Sequence, residues 1–324
     1  MTSISRRTLL LSSAFLLVPA SLRAAAPRRI VSVGGAVTEI LYRLGREGEI
    51  VGVDATSQYP ADALKTKPNV GYVRALGAEG ILSLNPTMVI AIEGAGPPDA
   101  VRLVEQAGVP VVRVDDEPSP EGIVRRIRDV AEAVDAIEPG EVLVREVESG
   151  FAQLNRNRAQ ADRPVKALFV LSLQNGRPLV GGKGTTADAM LALAGAENAA
   201  SSLEGWKPLS DEGVIAAAPE AVIMMEHGPG GKAQDPFALP AFASTPAAAE
   251  HRLIVMDGLY LLGFGPRTPL AAQDLLAALH PELPVLYVTG YSDVAMRPVP
   301  GSLVVAKPFD PAALVDAAAK LIRS

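Results

Sequence analysis

The sequence contains no cysteine, and this absence excludes several kinds of site at once. Disulfide bridges, thiolate metal sites, cysteine nucleophiles and a lipid-anchored cysteine all need a thiol. Histidine is almost as scarce, with three in the chain: His227, His251 and His280. Because the three are scattered, the sequence has no multi-histidine metal motif, although folding can still bring two of them together.

An excess of positive charge and long apolar runs are missing as well. The formal net charge is −6, which gives no sign of a nucleic-acid partner. After the N-terminus, no apolar run approaches the roughly 20 residues that a membrane helix needs. The chain has 324 residues, of which 48% are hydrophobic. This length and composition predict a globular protein of two domains or one bilobed body.

The first 26 residues have the pattern of an export signal. Arg6 and Arg7 precede an apolar run at residues 8–20, and small residues close the segment at 24–26. The run is too short to span a bilayer, and the alternative, a buried first helix, gives no role to the charged start and alanine-rich end. The arginine pair resembles a twin-arginine signal, with a general secretory signal as the alternative. We expect cleavage near residues 24–26 and a product that is free in the periplasm and does not itself span a membrane.

Strand-like and helix-like segments alternate in two regions. Apolar strand-like runs in the first region are "RRIVSVGG", "EIVGVD", "TMVIAI" and "VPVVRVD", with helix-like runs between them. Residues 119–161 favour helix almost throughout, and "VKALFVLS" then begins a second alternating set. Alternation of apolar strands with helices predicts an α/β fold whose parallel sheets are covered by helices.

One internal match links the two regions. "EGILSLNPTMVI" begins at Glu79 and "EGVIAAAPEAVI" begins at Glu212, with Glu, Gly, Pro, Val and Ile at the same offsets. Each copy is predicted to form a helix, a proline break and a strand. The match indicates either chance similarity between two αβ units or two homologous lobes that each present one glutamate at the same place.

No catalytic motif stands out. "VGGKGTTAD" is glycine-rich before a helix, but a phosphate-binding loop needs Ser or Thr after the lysine, and Gly184 follows Lys183. Thr185 or Thr186 is expected to cap the next helix instead. Neither a Ser-His-Asp spacing nor a nucleophile elbow is found. We therefore expect a binding protein and not an enzyme.

Several stretches, in order, resemble the haem-binding periplasmic protein of bacterial haem ABC importers. They are "RIVSVGGAVTEILYRLG", "VGVDATSQYP", "VGYVRALGAEGILSLNP", "EGAGPP", "DEPSPEGI", "GWKPLSDEGVIAAAPEAVIMM" and "MDGLYLLGFGPRTP". The resemblance covers about residues 28–282. It implies two Rossmann-like lobes joined by one long helix, the class III periplasmic binding protein fold, with the ligand in the cleft between them. The expected division is an N-terminal lobe at 28–138, a connecting helix at 139–162, a C-terminal lobe at 163–282 and an extension at 283–324.

The resemblance implies that Tyr72 is the axial ligand of ferric haem. Phenolate is a hard, anionic oxygen donor that suits Fe(III), and a bound metal favours the deprotonated ligand. Arg74 follows two residues later, so in an extended segment it lies on the same side and can donate a charge-assisted hydrogen bond to the phenolate. Without the resemblance, an interface tyrosine with a solvated hydroxyl would be the simpler interpretation. We expect Tyr72 to be the only protein ligand of the iron.

The rest of the haem pocket is predicted less sharply. A flat porphyrin needs aromatic and aliphatic walls and cations for its propionates. Candidates that contact haem are Trp206, Tyr260, Phe264 and Arg267. Weaker candidates are Met225, the cations Arg177, Lys183 and Lys207, and His227 as a second axial ligand. Core packing is the alternative for Met225, and exposure to water is the alternative for the three cations.

The same resemblance implies a partner, a two-fold inner-membrane ABC permease whose arginines pair with Glu79 and Glu212. A two-fold partner favours two equivalent charges on a pseudo-two-fold face. The alternative is that both acids favour their helix N-termini through the macrodipole, and both roles can hold together. We expect a monomer. A cobalamin or ferric-siderophore binding protein on the same fold is the alternative function.

Residues 283–324 do not fit that pattern and instead resemble the C-terminal third of a response-regulator receiver domain. "PVLYVTG" resembles its fourth strand with the switch threonine at Thr289, and "LVVAKPF" resembles its fifth strand with the Lys307-Pro308 pair. The resemblance leaves a signalling protein as an alternative of another class. Because no segment supplies the acidic pair and phosphoacceptor aspartate, phosphotransfer is not expected. We expect a short βαβα extension that packs loosely on the second lobe or is mobile.

Overall fold

The computed structural model describes residues 27–174, 176–226 and 235–283, together with two short strands in the extension. The export signal and His227 lie outside the described residues. The sequence predictions for those two features are therefore not addressed by the structure.

The first lobe is built on a parallel sheet, as the alternating pattern predicts. Its main strands are β1 (Ile30–Val33), β2 (Ile50–Val53), β5 (Met88–Ile92) and β6 (Val111–Val114), and a small antiparallel hairpin is formed by β3 (Gly71–Tyr72) and β4 (Ala75–Leu76). The four main strands have the order β2-β1-β5-β6. The helices are α1 (Gly35–Arg43), α2 (Asp62–Thr66), α3 (Ala78–Ser83), α4 (Pro98–Gln106) and α5 (Pro120–Ala133).

A 22-residue helix, α6 (Ile137–Arg158), follows α5 and leads to the second lobe. Its buried residues are Gly140, Leu143, Val144, Val147, Phe151 and Leu154, whose spacing, mostly three and four, places them on one stripe. Pro139 lies in the first turn, where the missing N–H leaves no intrahelical bond unmade. The helix begins two residues before the predicted 139–162 stretch and ends at Arg158.

The second lobe contains a six-stranded mixed sheet. Its strands are β7 (Lys166–Gln174), β8 (Arg177–Gly181), β9 (Glu197–Asn198), β10 (Trp206–Pro208), β11 (Ala221–Glu226) and β12 (Leu253–Asp257). Its helices are α7 (Thr186–Leu193), α8 (Asp211–Ala217), α9 (Pro240–Ala243), α10 (Pro246–Ala249), α11 (Gly258–Leu262) and α12 (Thr268–Leu279).

This second sheet differs in part from the predicted parallel arrangement. Strands β7, β11 and β12 pair in parallel, but β8 pairs antiparallel to β7 and β10 pairs antiparallel to β8. The connection between β7 and β8 is too short for a crossover helix, and Gly176 within it has φ +77°. A tight hairpin is the only way such a short connection can join two neighbouring strands.

The lobes share one continuous core. Along β7, Ala167 and Phe169 belong to a large apolar cluster that runs from α1 through α5 and α6 to α7 and α12. Leu168 and Val170 alternate with them and pack into a second cluster on the opposite face. Because both faces of the strand are covered, it reads as an uninterrupted apolar run in the sequence.

In the extension, β13 (Leu286–Thr289) and β14 (Leu303–Ala306) pair with each other in parallel, in a separate two-stranded sheet. These are the two strands that the sequence predicts there. Lys307, Pro308 and the predicted last helix lie outside the described residues. The receiver-like identity of the extension stays a prediction.

Candidate ligand cleft between the two lobes

The hairpin that carries Tyr72 is fixed at the carboxyl edge of the first sheet. The Ala55 amide, in the loop after β2, donates to the Gly71 carbonyl over 2.8 Å. The Gly96 amide, in the loop after β5, donates to the Val73 carbonyl over 2.9 Å. In open α/β sheets, ligands bind outside the carboxyl ends of the strands. These two bonds therefore hold the hairpin where a ligand is expected.

Tyr72 is one of the large apolar side chains that the described chain leaves exposed, at 51%. Gly71 beside it has φ +112°, and a Cβ at that position would lie 2.7 Å from the Ala75 carbonyl oxygen, so the turn requires glycine. Val73 and Leu76 are each 7% exposed and anchor the hairpin in the core. The anchored hairpin therefore presents the Tyr72 ring to solvent on a rigid base.

Arg74 is exposed, like Tyr72, but its electrostatic neighbour is a carboxylate, that of Asp116. Burial raises the pKa of Asp116, while the charges of Arg126 and Arg74 act to lower it. Among the described residues, no hydrogen bond joins Arg74 to Tyr72. Asp116 follows β6, so it lies at the same edge of the sheet as the hairpin.

The N-terminus of α1 also lies at this edge, and its amides are taken by the protein itself. The Gly34 amide donates to Asp54 Oδ1 over 2.8 Å, and the Gly35 amide donates to Thr56 Oγ1 over 2.9 Å. Asp54 is fully buried and also accepts from the Thr56 and Ser57 hydroxyls. A carboxylate within the fold therefore occupies the positive end of this helix, where an anionic ligand would otherwise bind.

The second lobe contributes the segment 258–268. Three residues predicted to line the pocket lie in it, and each has a different environment. Tyr260 is half-buried, and its hydroxyl donates to Asp274 Oδ2 over 2.9 Å. Arg267 is 7% exposed and pairs with Glu39, 3.1 Å away. Phe264 is 2% exposed with φ +46°, so the turn directs its ring into the core and leaves no face for a ligand. The expectation that Phe264 lines the cleft does not fit this geometry.

Trp206 lies on the edge strand β10, where it is half-buried. Its ring packs edge-to-face on Phe169, with the centroids 5.9 Å apart. The exposed cations Arg177, Lys183 and Lys207 lie near the same edge of the sheet. Met225 is half-buried near the end of β11 and lies against Gly258. This contact favours core packing over ligand contact as the role of Met225.

Glu79 and Glu212 occupy equivalent places in the two lobes. Each lies exposed in the first turn of its helix, α3 or α8, and each helix leads through a proline to a strand in the middle of its sheet. A backbone amide and the Ser210 hydroxyl lower the pKa of Glu212, and Ser210 also caps α8 through the Gly213 amide, 3.1 Å away. The internal repeat is therefore a repeat of structure as well as of sequence.

Three residues beside this region were not found by sequence reasoning: Tyr59, whose ring lies under the Arg267 guanidinium, Glu39, which pairs with Arg267, and Arg126, which donates to the Phe264 carbonyl. For the two charged residues a signal exists, because each lies among apolar neighbours on a helix. In α5, Arg126 continues the stripe of Ile123, Ile127 and Val130 and is fully buried. A charged residue within an apolar stripe of a helix is buried with that stripe, and a buried charge needs a polar partner.

Within the described ranges, no cluster of three or more His, Asp or Glu residues could hold a metal ion. His251 packs edge-to-face on Phe237, and His280 contacts Glu282. None of the helices in this part of the chain is both long and apolar enough to cross a membrane.

Comparison with known proteins now identifies the fold. The model of the periplasmic binding protein family matches residues 30–259. The chain belongs to this family. Its two lobes and connecting helix are those of class III periplasmic binding proteins.

Individual relatives are similar over most of the chain. The apo structure of the periplasmic heme-binding protein RhuT from Roseiflexus sp. RS-1 is 40% identical, with a TM-score of 0.75 over 79% of this chain and 99% of that one. The uncharacterized ABC transporter substrate-binding lipoprotein YvrC of Bacillus subtilis is 27% identical over 79% of this chain and 81% of its own length. The vitamin B12-binding protein of Pectobacterium atrosepticum is 26% identical over 79% of this chain and 89% of its own length.

Proposed function

We propose that this member of the periplasmic binding protein family captures ferric haem between its lobes and delivers it to an inner-membrane ABC permease. The observation that carries the proposal is the exposed Tyr72 ring on an anchored hairpin at the carboxyl edge of the first sheet. The likeness to RhuT, a periplasmic heme-binding protein at 40% identity over nearly its whole length, supports haem as the ligand.

Tyr72 is the proposed axial ligand. Its phenolate oxygen is the kind of donor that Fe(III) prefers, and the exposed ring needs no rearrangement of the core to reach a ligand. A free phenol ionises near pH ~10, so the anion must be favoured by its surroundings. Ferric iron supplies most of that stabilisation and the exposed Arg74 cation supplies the rest.

The second lobe provides the opposite wall. Tyr260 and Trp206 are half-buried, so each offers part of an aromatic surface to a ligand. Arg267 is enclosed and already paired with Glu39, so its proposed contribution is to hold the wall in place. Exposed Arg177, Lys183 and Lys207 are the proposed partners for the propionates, since a charge in solvent is free to turn toward an anion.

The experiment that tests the proposal is a titration of the purified mature protein with hemin, followed by visible absorption. Wild type is expected to bind and to give the charge-transfer band of tyrosinate-ligated ferric haem. Tyr72→Phe removes only the ligating oxygen and is expected to abolish that band. Tyr42→Phe, on α1 in the same lobe, is the matched control that keeps it. Hemin binding with the same spectrum in Tyr72→Phe would refute Tyr72 as ligand.

A second candidate ligand is cobalamin, favoured by the likeness to the vitamin B12-binding protein of Pectobacterium atrosepticum. Parallel titrations with cyanocobalamin separate the two ligands. Cobalamin carries its own axial groups and needs no phenolate, so tight cobalamin binding that survives Tyr72→Phe, with no hemin binding, would establish the alternative.

We propose further that Glu79 and Glu212 dock the protein onto the two-fold permease. Their equivalent placement in the two lobes supports this, because a two-fold partner presents the same cation twice. On α8 the exposed Ile215, three residues after Glu212, lies on the same face and adds an apolar contact beside the charge.

Export to the periplasm through a twin-arginine signal, and action as a monomer, complete the proposal. Arg6 and Arg7 before the apolar run support the signal type. For the extension we propose a receiver-like remnant without phosphotransfer, supported by the parallel pairing of β13 and β14.

A further inference from the structure

The two lobes meet where α1 lies against the segment 258–268. A Cβ added to Gly35 would lie 2.5 Å from Leu259 Cδ1, and one added to Gly265 would lie 3.5 Å from Ala36 Cα. Glycine at position 35 therefore permits the two lobes to approach closely, and Gly265 lies in ordinary contact with α1. A side chain at Gly35 would collide with Leu259 across this contact.

At this contact a buried ion pair joins the lobes. Arg267 Nε, at the start of α12, donates to Glu39 Oε2 of α1 over 3.1 Å, and the two side chains are 8% and 3% exposed. Glu39 Oε1 is buried without a hydrogen-bond partner among the described residues. Such a pair gives little net stability, because desolvation offsets the attraction, but breaking it by removing one partner is costly because a buried charge is left uncompensated.

Two tyrosine rings, one from each lobe, lie against the same guanidinium. The Arg267 Cζ is 3.5 Å from the centroid of Tyr59, in the loop after β2, and 5.2 Å from that of Tyr260, on α11. The Tyr260 hydroxyl is held in turn by Asp274. A planar guanidinium stacks on aromatic faces in a way that a lysine ammonium cannot reproduce.

We propose that Arg267 is a positioning residue that sets the width of the cleft, and that Tyr59 is a further wall of it. Through Glu39 and Tyr59 on one side and Tyr260 on the other, Arg267 holds the lobes at one separation before ligand arrives. A cleft of fixed width favours a flat porphyrin over a corrin that carries bulky groups on both faces. The specificity part of this inference rests on haem as the ligand.

The test of the separation uses ligand-free protein. Since the sequence has no cysteine, Leu103→Cys on the exposed face of α4 and Ser202→Cys on an exposed turn of the second lobe give one spin-label pair across the lobes. Electron–electron dipolar spectroscopy then reports the interlobe distance distribution. Arg267→Lys keeps the charge but loses the stacking of the guanidinium on the tyrosine rings, and it is expected to broaden the interlobe distance distribution. Tyr59→Leu is expected to have the same effect. Arg113→Lys, in a surface ion pair with Glu105, is the matched control and is expected to match wild type.

Hemin and cyanocobalamin titrations of the same variants test specificity. Arg267→Lys is expected to bind hemin about tenfold more weakly, to keep the tyrosinate band, and to gain affinity for cyanocobalamin. Arg267→Lys leaves the buried Glu39 carboxylate in place, and a misfolded variant would be hard to interpret. The double variant Glu39→Gln with Arg267→Met removes both charges together, so no unpaired charge is left buried. It is expected to broaden the interlobe distance distribution similarly.

Unchanged distances in Arg267→Lys and in the double variant would overturn the positioning role. If hemin affinity fell while the distances stayed fixed, Arg267 would be a direct ligand contact and the inference would be wrong. If wild type did not bind hemin at all, the proposed function would fail on its own, while the distance measurement would still decide the role of Arg267.

Discussion

The guanidinium of Arg126 donates through Nη1 to the backbone carbonyl of Phe264, a residue 138 positions later in the chain and in the other lobe. Arg126 is fully buried, and its Nε donates to the Asp115 carbonyl over 2.5 Å. The side chain thereby joins the loop after β6 to the turn before α12. Burial lowers the pKa of Arg126, while the charges of Asp116 and Asp115 oppose that shift.

Arg126→Met is expected to destabilise the protein by about 3 kcal/mol, because it leaves the buried Phe264 carbonyl and the partly buried Asp115 carbonyl without this donor. Urea unfolding followed by circular dichroism measures the loss. Arg125→Met is the matched control, since that neighbouring side chain forms surface ion pairs with Asp115 and Glu117. Its loss is expected to change stability far less, because exposed ion pairs contribute little. Equal losses in the two variants would show that Arg126 does not join the lobes.

Arg74→Gln is expected to weaken hemin binding less than Tyr72→Phe and to shift the tyrosinate spectrum toward higher pH. A nearby cation favours a phenolate over the neutral phenol, so without Arg74 the iron-bound anion is expected to form less readily. Asp116→Asn is expected to shift the transition in the opposite direction, because it frees Arg74 from a neighbouring carboxylate. A pH titration of the charge-transfer band measures both shifts, with exposed Lys65→Gln as control. Identical transitions in all variants would remove Arg74 from the site.

Charge reversal at both docking glutamates, Glu79→Lys with Glu212→Lys, is expected to stop haem uptake by cells while leaving hemin binding intact. The matched control is Glu121→Lys with Glu138→Lys, which are also acids in the first turns of helices. The control pair separates docking from a general loss of helix stabilisation by the macrodipole. Normal uptake with the first pair would contradict the docking role, as would equal loss with the control pair.

Glu220 provides a pH-dependent contribution to stability. Its Oε2 accepts hydrogen bonds from Arg163 Nη1 over 2.9 Å and from the Lys166 amide over 3.0 Å. These bonds lower the pKa of Glu220 below 4.5, and the bond from Arg163 has the larger effect. A carboxyl whose pKa is lowered by folding contributes stability above its unfolded pKa and loses it as the pH falls through its folded pKa. Glu220→Gln is therefore expected to cost about 1 kcal/mol near neutral pH.

The difference between wild type and Glu220→Gln is expected to shrink as the pH falls below 4.5, because wild-type Glu220 is then protonated too. Urea unfolding of both proteins across the acid range measures it. A difference that stays constant with pH would place the effect in packing and not in the charge.

Removal of residues 284–324 is expected to leave hemin affinity unchanged and solubility equal or better. The cut falls after Leu283, whose side chain packs on the main core and whose amide donates to the His280 carbonyl. Titration with hemin and the soluble fraction on expression measure the outcome. Loss of hemin binding in the shortened protein, or phosphorylation of the intact chain by a small phosphodonor, would show that the extension has a function.

Much of the fold follows from local patterns. Apolar runs such as Ile30–Val33 and Met88–Ile92 become covered strands, because a strand with both faces buried needs apolar residues at every position. The repeat at Glu79 and Glu212 gives helices at equivalent places, because both copies have the same order of acid, glycine, apolar pair and proline. For Tyr72, the family resemblance alone indicates a ligand role, since a lone tyrosine carries no local signal of one.

Contacts between the lobes were decided only by the tertiary structure. The carboxylate of Glu39 and the guanidinium of Arg267 are 228 positions apart, and no periodic pattern specifies which distant charge a buried carboxylate will meet. Phe264 lies in a glycine-rich loop that suggested a cleft wall, yet its left-handed backbone directs the ring into the core. Side-chain direction in a loop depends on backbone angles and neighbours that come together only after the two sheets have packed.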